Sequence, residues 1–151
     1  MTHHERISIP VLLRCWGPVL AMMALLFVSS AQPKIEHPGA ESVYFSGAMP
    51  IFPGGWDFII KKSGHMLAYG LLAALLFRAF AATYTPSTAG FAALAAAMSF
   101  AVSDELHQTF VRGRHASVTD LGFDFVGAAL AVVVLWTASR WRTRVLLAQR
   151  R

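Results

Sequence analysis

The chain has 151 residues, 56% of them hydrophobic and 14% charged, with a mean hydropathy of +0.52. A soluble domain carries roughly 25% charged residues, so this chain has too few polar groups to coat a water-facing globule, and its apolar content also excludes a disordered chain. A single cysteine, Cys15, excludes an internal disulfide framework and a cysteine-based zinc site. The net charge of +5 does not point to nucleic acid, because the basic residues gather at the chain ends and five arginines fall in the last twelve residues. Basic ends beside apolar spans are topology signals.

The sequence predicts an all-α integral membrane bundle of four transmembrane helices. The first apolar stretch covers about 11–29 and contains Arg14, Gly17 and Pro18. Its uninterrupted part, 15–28, is 14 residues long, against the roughly 20 that a ~30 Å hydrocarbon layer requires. A rival reading is a signal peptide, with Ser29 and Ala31 at small-residue cleavage positions before Gln32. An outer loop follows over about 30–62, punctuated by Pro33, Pro38, Pro50, Pro53 and Gly54-Gly55. Its Tyr44, Phe45, Phe52, Trp56 and Phe58 are expected at headgroup level.

The second span is placed at 64–82, with Arg78 near its end, and the alanine-rich third at 88–103. Arg14 and Arg78 are expected to send their guanidinium groups toward the interface. Pro86 marks a tight connection between these two spans. Ser117-Val118-Thr119-Asp120 has capping-box spacing and opens the fourth span, 120–138. Residues 1–10 and 139–151 remain as a short leading segment and a basic tail. No stretch alternates with the period of two that a β-barrel needs. Gly64/Ala68, Ala92/Ala96 and Gly127/Ala131 have the four-residue spacing that lets helices approach closely, a weak signal in so alanine-rich a chain.

Arg6 and Arg14 flank the first span, and Arg140, Arg142, Arg144, Arg150 and Arg151 follow the fourth. The positive-inside bias therefore puts both termini in the cytoplasm, outweighing Lys34, Lys61, Lys62, Arg112 and Arg114 on the other side. Alternating spans then bring the start of the second, the end of the third and the start of the fourth to one membrane surface, the outer one. Lys61, His65 and Tyr69 share a helix face, as do Asp104, His107 and Gln108, and likewise Asp120 and Asp124. Arg112-Gly113-Arg114-His115 forms a glycine turn between the last two groups. The candidate site is therefore His65, Tyr69, Asp104, Glu105, Gln108, Arg114, Asp120 and Asp124. Ionisable groups at bundle depth are costly, and they pair with one another or serve a function.

Lys62-Ser63-Gly64-His65 with Tyr69-Gly70-Leu71-Leu72, then Asp104-Glu105-Leu106-His107-Gln108-Thr109-Phe110-Val111, then Gly113-Arg114, Ser117, Asp120, Asp124 and Gly127 resemble the VanZ-like family of small bacterial membrane proteins. The resemblance covers about 56–130; outside it the chain matches in character alone. Arg112 stands where the family commonly has proline. The resemblance implies a bacterial inner-membrane location and a link to low-level teicoplanin resistance, with no defined reaction.

Bland readings stand beside each candidate. His65 can hydrogen-bond Glu105 or Asp104 and hold two helices together. Tyr69 can anchor at the headgroups, and Arg114 can neutralise Asp120 or Asp124. His107 and His115 are expected to face solvent, while His3, His4 and His37 are uninformative. Eight polar groups on one rim exceed what helix packing in lipid needs.

Three functions fit. The first is binding of a membrane lipid, lipid-linked envelope precursor or lipoglycopeptide tail, with Arg114 and Lys61 or Lys62 on phosphate or carboxylate and Tyr69, Trp56 and Phe58 on the apolar part. The second is a membrane enzyme in which His65 and Glu105 form an acid/base pair and Asp120 supplies a further carboxylate with Asp124. A divalent metal on His65, Glu105, Asp104 and Asp120 would suit that chemistry, although no His-Glu-x-x-His motif is present and no metal site is assigned. The third is a structural or assembly factor whose polar cluster only locks the helices. No haem, flavin or nucleotide motif occurs, so no cofactor is expected, and the oligomeric state is open.

Overall fold

The computed structural model describes residues 9–33, 55–114 and 116–149. Tyr44, Phe45, Phe52, His37, His115 and most of the expected outer loop lie outside the described residues, as do the side chains of Trp56, Phe58 and Lys61. Four helices follow in order: α1 (Ile9–Ser30), α2 (Gly55–Ala81), α3 (Pro86–Gln108) and α4 (Val118–Ala148). Each is long and apolar enough to cross a membrane, and no strand occurs among the described residues. The chain is thus an all-α, multi-pass membrane protein.

The helices outrun the spans that hydropathy predicts. α2 begins at Gly55 instead of 64, so the end of the expected outer loop is helical, and α4 continues through most of the expected tail to Ala148. Polar residues end a membrane span without ending a helix, and Lys, Arg, Leu and Ala are all good helix formers. The Ser117 cap matches the sequence expectation, and Thr85 provides another. Thr85 caps α3, its hydroxyl accepting from the Thr88 amide at 3.4 Å, with Pro86 in the first turn. Ser117 caps α4 by accepting from the Asp120 amide at 3.3 Å. Gly113 takes φ 75° in the turn between α3 and α4, the left-handed region that glycine enters freely.

α2, α3 and α4 pack on one another, whereas α1 lies against α2 and α3 only. The inner face of α3 is Ala89, Ala93, Ala97 and Ala101, all fully buried, and the same four-residue stripe ends on Glu105. Tyr69, Leu72, Ala73, Leu76 and Phe77 face it from α2, and Asp124, Ala128 and Val132 from α4. With no hydrophobic drive between helices in lipid, small side chains and close backbones supply the cohesion. The closest approach joins α2 to α4, where a Cβ on Gly127 would collide with the Met66 carbonyl and one on Gly70 would sit 3.2 Å from the Gly127 carbonyl oxygen. Gly127 therefore uses its small size, whereas Gly64 has nothing within 4 Å. The outward faces carry Leu13, Leu20, Leu67, Phe91 and Leu130, exposed apolar groups suited to acyl chains.

α1 runs through Pro18, which has no N–H to give the carbonyl of Arg14. Arg78 of α2 supplies that donor, its Nη2 lying 2.7 Å from the Arg14 oxygen. Arg78 is exposed near the end of α2 and its guanidinium ends on a backbone oxygen of α1.

Candidate functional site

The ends of α1 and α3 and the starts of α2 and α4 meet at one end of the bundle, and all eight candidate residues lie there. Asp104, Glu105 and Gln108 are each 5% exposed and Asp124 only 1%. The expected convergence is therefore present, but the pairings differ from those read in the sequence.

Asp104 is the centre of one network. Its Oδ1 accepts from the Ser30 hydroxyl at 2.5 Å, and its Oδ2 accepts from Gln108 Nε2 at 3.1 Å. Gln108 in turn accepts at Oε1 from Arg114 Nη1, 3.3 Å away. The rest of the Arg114 guanidinium closes on the end of α1, with Nε donating to the Gln32 carbonyl at 3.0 Å and Nη2 to that of Ser29 at 3.2 Å. Carbonyls at a helix C-terminus lack amide partners and carry partial negative charge, so an arginine there is doubly favoured. Arg114 is consequently not the counter-ion of Asp120 or Asp124; it staples α1 to α3.

Glu105 performs a different task. Its Oε2 accepts from the Ser117 amide at 2.7 Å, fixing the residue that caps α4. Glu105 therefore does not pair with His65. Tyr69 is 2% exposed and its hydroxyl is directed toward Asp104, with the Asp124 and Glu105 carboxylates close by. It is a core residue beneath the carboxylates, not a headgroup anchor.

Among the described residues, Lys62 and His65 of α2 make ion-pairing contacts with α4. Lys62 pairs with Asp120 and also lies over the Phe123 ring, 5.7 Å from its centroid. His65 Nδ1 lies 3.2 Å from Asp124 Oδ1. The His65 side chain is 29% exposed while its carboxylate partner is buried. A carboxylate on one ring nitrogen sets the tautomer and leaves the other nitrogen for a further partner. That pair can exchange a proton or hydrogen-bond a polar head from the membrane surface.

His107 is not solvent-facing either. Its ring stacks on Phe27 of α1 at 4.2 Å, and its buried Nε2 has no hydrogen-bond partner. Among the described residues no three His, Cys, Asp or Glu side chains are grouped so as to hold a metal ion, so the His65, Glu105, Asp104 and Asp120 set does not close around one point. Sequence reasoning missed Ser30, the Ser29 and Gln32 carbonyls, and the Ser117 amide as partners. Two hydroxyls at the end of the first span, Ser29 and Ser30, were the available signal.

The VanZ/LLP1 family pattern matches residues 15–140, reaching well into α1 and to the end of the apolar part of α4. Comparison with curated proteins and with solved structures gives no match. The chain belongs to the VanZ/LLP1 family.

Proposed function

We propose that this protein binds the polar head of an envelope lipid or related amphiphile at the end of the bundle where His65 and Asp124 meet, and that this binding modulates susceptibility to glycopeptide or lipoglycopeptide antibiotics. The observation that carries the reading is the pairing of a half-buried imidazole with a carboxylate that is 1% exposed. Asp104, Glu105, Gln108 and Arg114 spend their hydrogen bonds inside the protein, tying α1, α3 and α4 together. They are the scaffold. His65 is the part open to the membrane surface, and the Lys62–Asp120 pair beside it ties α2 to α4.

The protein sits in the bacterial inner membrane with this end outward and both termini in the cytoplasm. That orientation is supported by the basic residues: Arg14, Arg78, Arg140, Arg142 and Arg144 lie toward the opposite end, against Lys62, Arg112 and Arg114 at this one.

The test is expression in a susceptible bacterium, with inhibitory concentrations of glycopeptide and lipoglycopeptide read against membrane abundance. Wild type raises the concentration needed, and His65→Ala abolishes that rise at unchanged abundance. A His65→Ala protein as protective as wild type overturns the reading.

A second reading is acid/base hydrolysis or transfer on a lipid-linked substrate, favoured by the same His65–Asp124 pair, since a carboxylate-held imidazole is the usual proton-transfer device. Product release from a lipid-linked precursor by wild type, absent with His65→Asn, distinguishes it from binding alone.

A further inference from the structure

α4 has 31 residues and is about 46 Å long, well over the ~30 Å of a hydrocarbon layer. It starts in the polar cluster and passes the beginning of α3 at Trp136, whose Nε1 donates to the Ser87 hydroxyl at 3.2 Å. Beyond that contact the helix leaves the bundle, and residues 140–149 are all exposed. Trp136, Arg140 and Arg144 follow one another at four-residue intervals, with Thr137 and Trp141 alongside, and these five line an open depression. The Arg140 guanidinium lies over the Trp136 indole, 4.9 Å from its centroid, and Trp141 is 72% exposed. None of the described carboxylates pairs with Arg140 or Arg144; Asp104, Glu105, Asp120 and Asp124 are all at the other end of the bundle.

We propose that this depression binds the phosphate of an anionic phospholipid, at the membrane surface opposite the His65 end. Two guanidinium groups on one helix face suit a phosphate, and the flanking indoles suit the glycerol and upper acyl region just beneath it. The depth of the feature selects a lipid over a soluble anion or a nucleic acid. Trp136 is still level with the transmembrane bundle, so the occupant must reach from the headgroup layer toward the hydrocarbon. Arginines immediately beyond a span are the usual means of drawing anionic lipids to one leaflet. Here their register with two tryptophans makes a single site instead of a diffuse charge. The inference does not depend on what His65 binds.

The experiment is native mass spectrometry of the full chain released from micelles carrying equal phosphatidylglycerol and phosphatidylcholine. Wild type retains one phosphatidylglycerol in preference to phosphatidylcholine by about tenfold, given two nearby arginines. Arg144→Gln lowers that preference about fivefold. Arg142→Gln, which removes the same charge from a different side of the helix, leaves it within about twofold. Absence of any preference in wild type overturns the proposal. So does an equal fall with Arg142→Gln, which would mean general charge attraction, and so does a preference that neither substitution moves, which would put the lipid elsewhere. Both residues are exposed, so these variants retain the fold.

Discussion

Arg78 of α2 completes the backbone of α1 by donating to the Arg14 carbonyl at 2.7 Å, the group that Pro18 leaves without its helical partner. In hydrocarbon an unmet carbonyl is costly, so the proline and the arginine form one unit although they sit on different helices. Arg78→Met should lower stability by about 1 kcal/mol. In a Pro18→Ala background residue 18 regains its N–H, and the cost of losing Arg78 should shrink. Thermal unfolding of the four proteins of this cycle in detergent measures the coupling. Equal costs in both backgrounds would show that the carbonyl is not the reason for the contact.

The close approach of α2 and α4 rests on Gly127. A methyl group there meets the Met66 carbonyl, which is backbone and cannot swing aside. Gly127→Ala should therefore destabilise by about 2 kcal/mol or more, through forced separation of the two helices. Gly70→Ala, with its nearest contact at 3.2 Å, should cost less, and Gly122→Ala, with nothing within 4 Å, should be neutral or slightly stabilising. Membrane abundance and melting temperature of the three variants rank the prediction. A Gly127→Ala protein as stable as Gly122→Ala would contradict it.

That same approach explains how much of the site could be read from the sequence. Helical spacing put His65 and Tyr69 on one face and Asp120 and Asp124 on another, and alternating spans put these faces at one end. Spacing says nothing about which neighbouring helix a face turns toward. The choice of Asp124 over Glu105 for His65 is set where Met66, next to His65, touches Gly127, nearly one turn after Asp124. The Arg114 staple was harder still to foresee, because its path depends on the turn around Gly113 and its partners are mostly main-chain oxygens that no side-chain pattern announces. The helices run past the expected spans for a different reason: apolar content marks the edge of the lipid, whereas Lys62 and Arg140 extend a helix as readily as leucine does.

If Arg114 is a staple, its loss should loosen α1 without touching the His65–Asp124 pair. Arg114→Met removes three donors from the Ser29, Gln32 and Gln108 oxygens, and Ser30→Ala removes one from Asp104. Arg114→Met should raise hydrogen exchange in the last turn of α1 by more than about tenfold and reduce abundance. Ser30→Ala should do the same to a smaller degree, since one hydrogen bond is worth about 1 kcal/mol. His65→Ala should leave α1 exchange unchanged. An α1 terminus equally protected in wild type and Arg114→Met would remove the basis for separating scaffold from site.

His65 and Asp124 are expected to act as a single functional unit. Asp124→Asn keeps the size of the side chain but replaces the carboxyl group that orients the imidazole, so antibiotic protection should fall nearly as far as with His65→Ala. The double variant should be no worse than either single one, because each substitution already removes the whole device. Asp120→Asn serves as the contrast: it weakens the Lys62 pair, which is 17% and 18% exposed on its two sides, and should cost about 1 kcal/mol or less in stability. Its protection at matched abundance should stay close to wild type. Inhibitory concentrations for the four variants, each normalised to the protein present in the membrane, decide the matter. Additive losses from His65→Ala and Asp124→Asn would mean that the two residues contribute separately, and the buried carboxylate would then be a packing element of α4 and not the partner that aims His65.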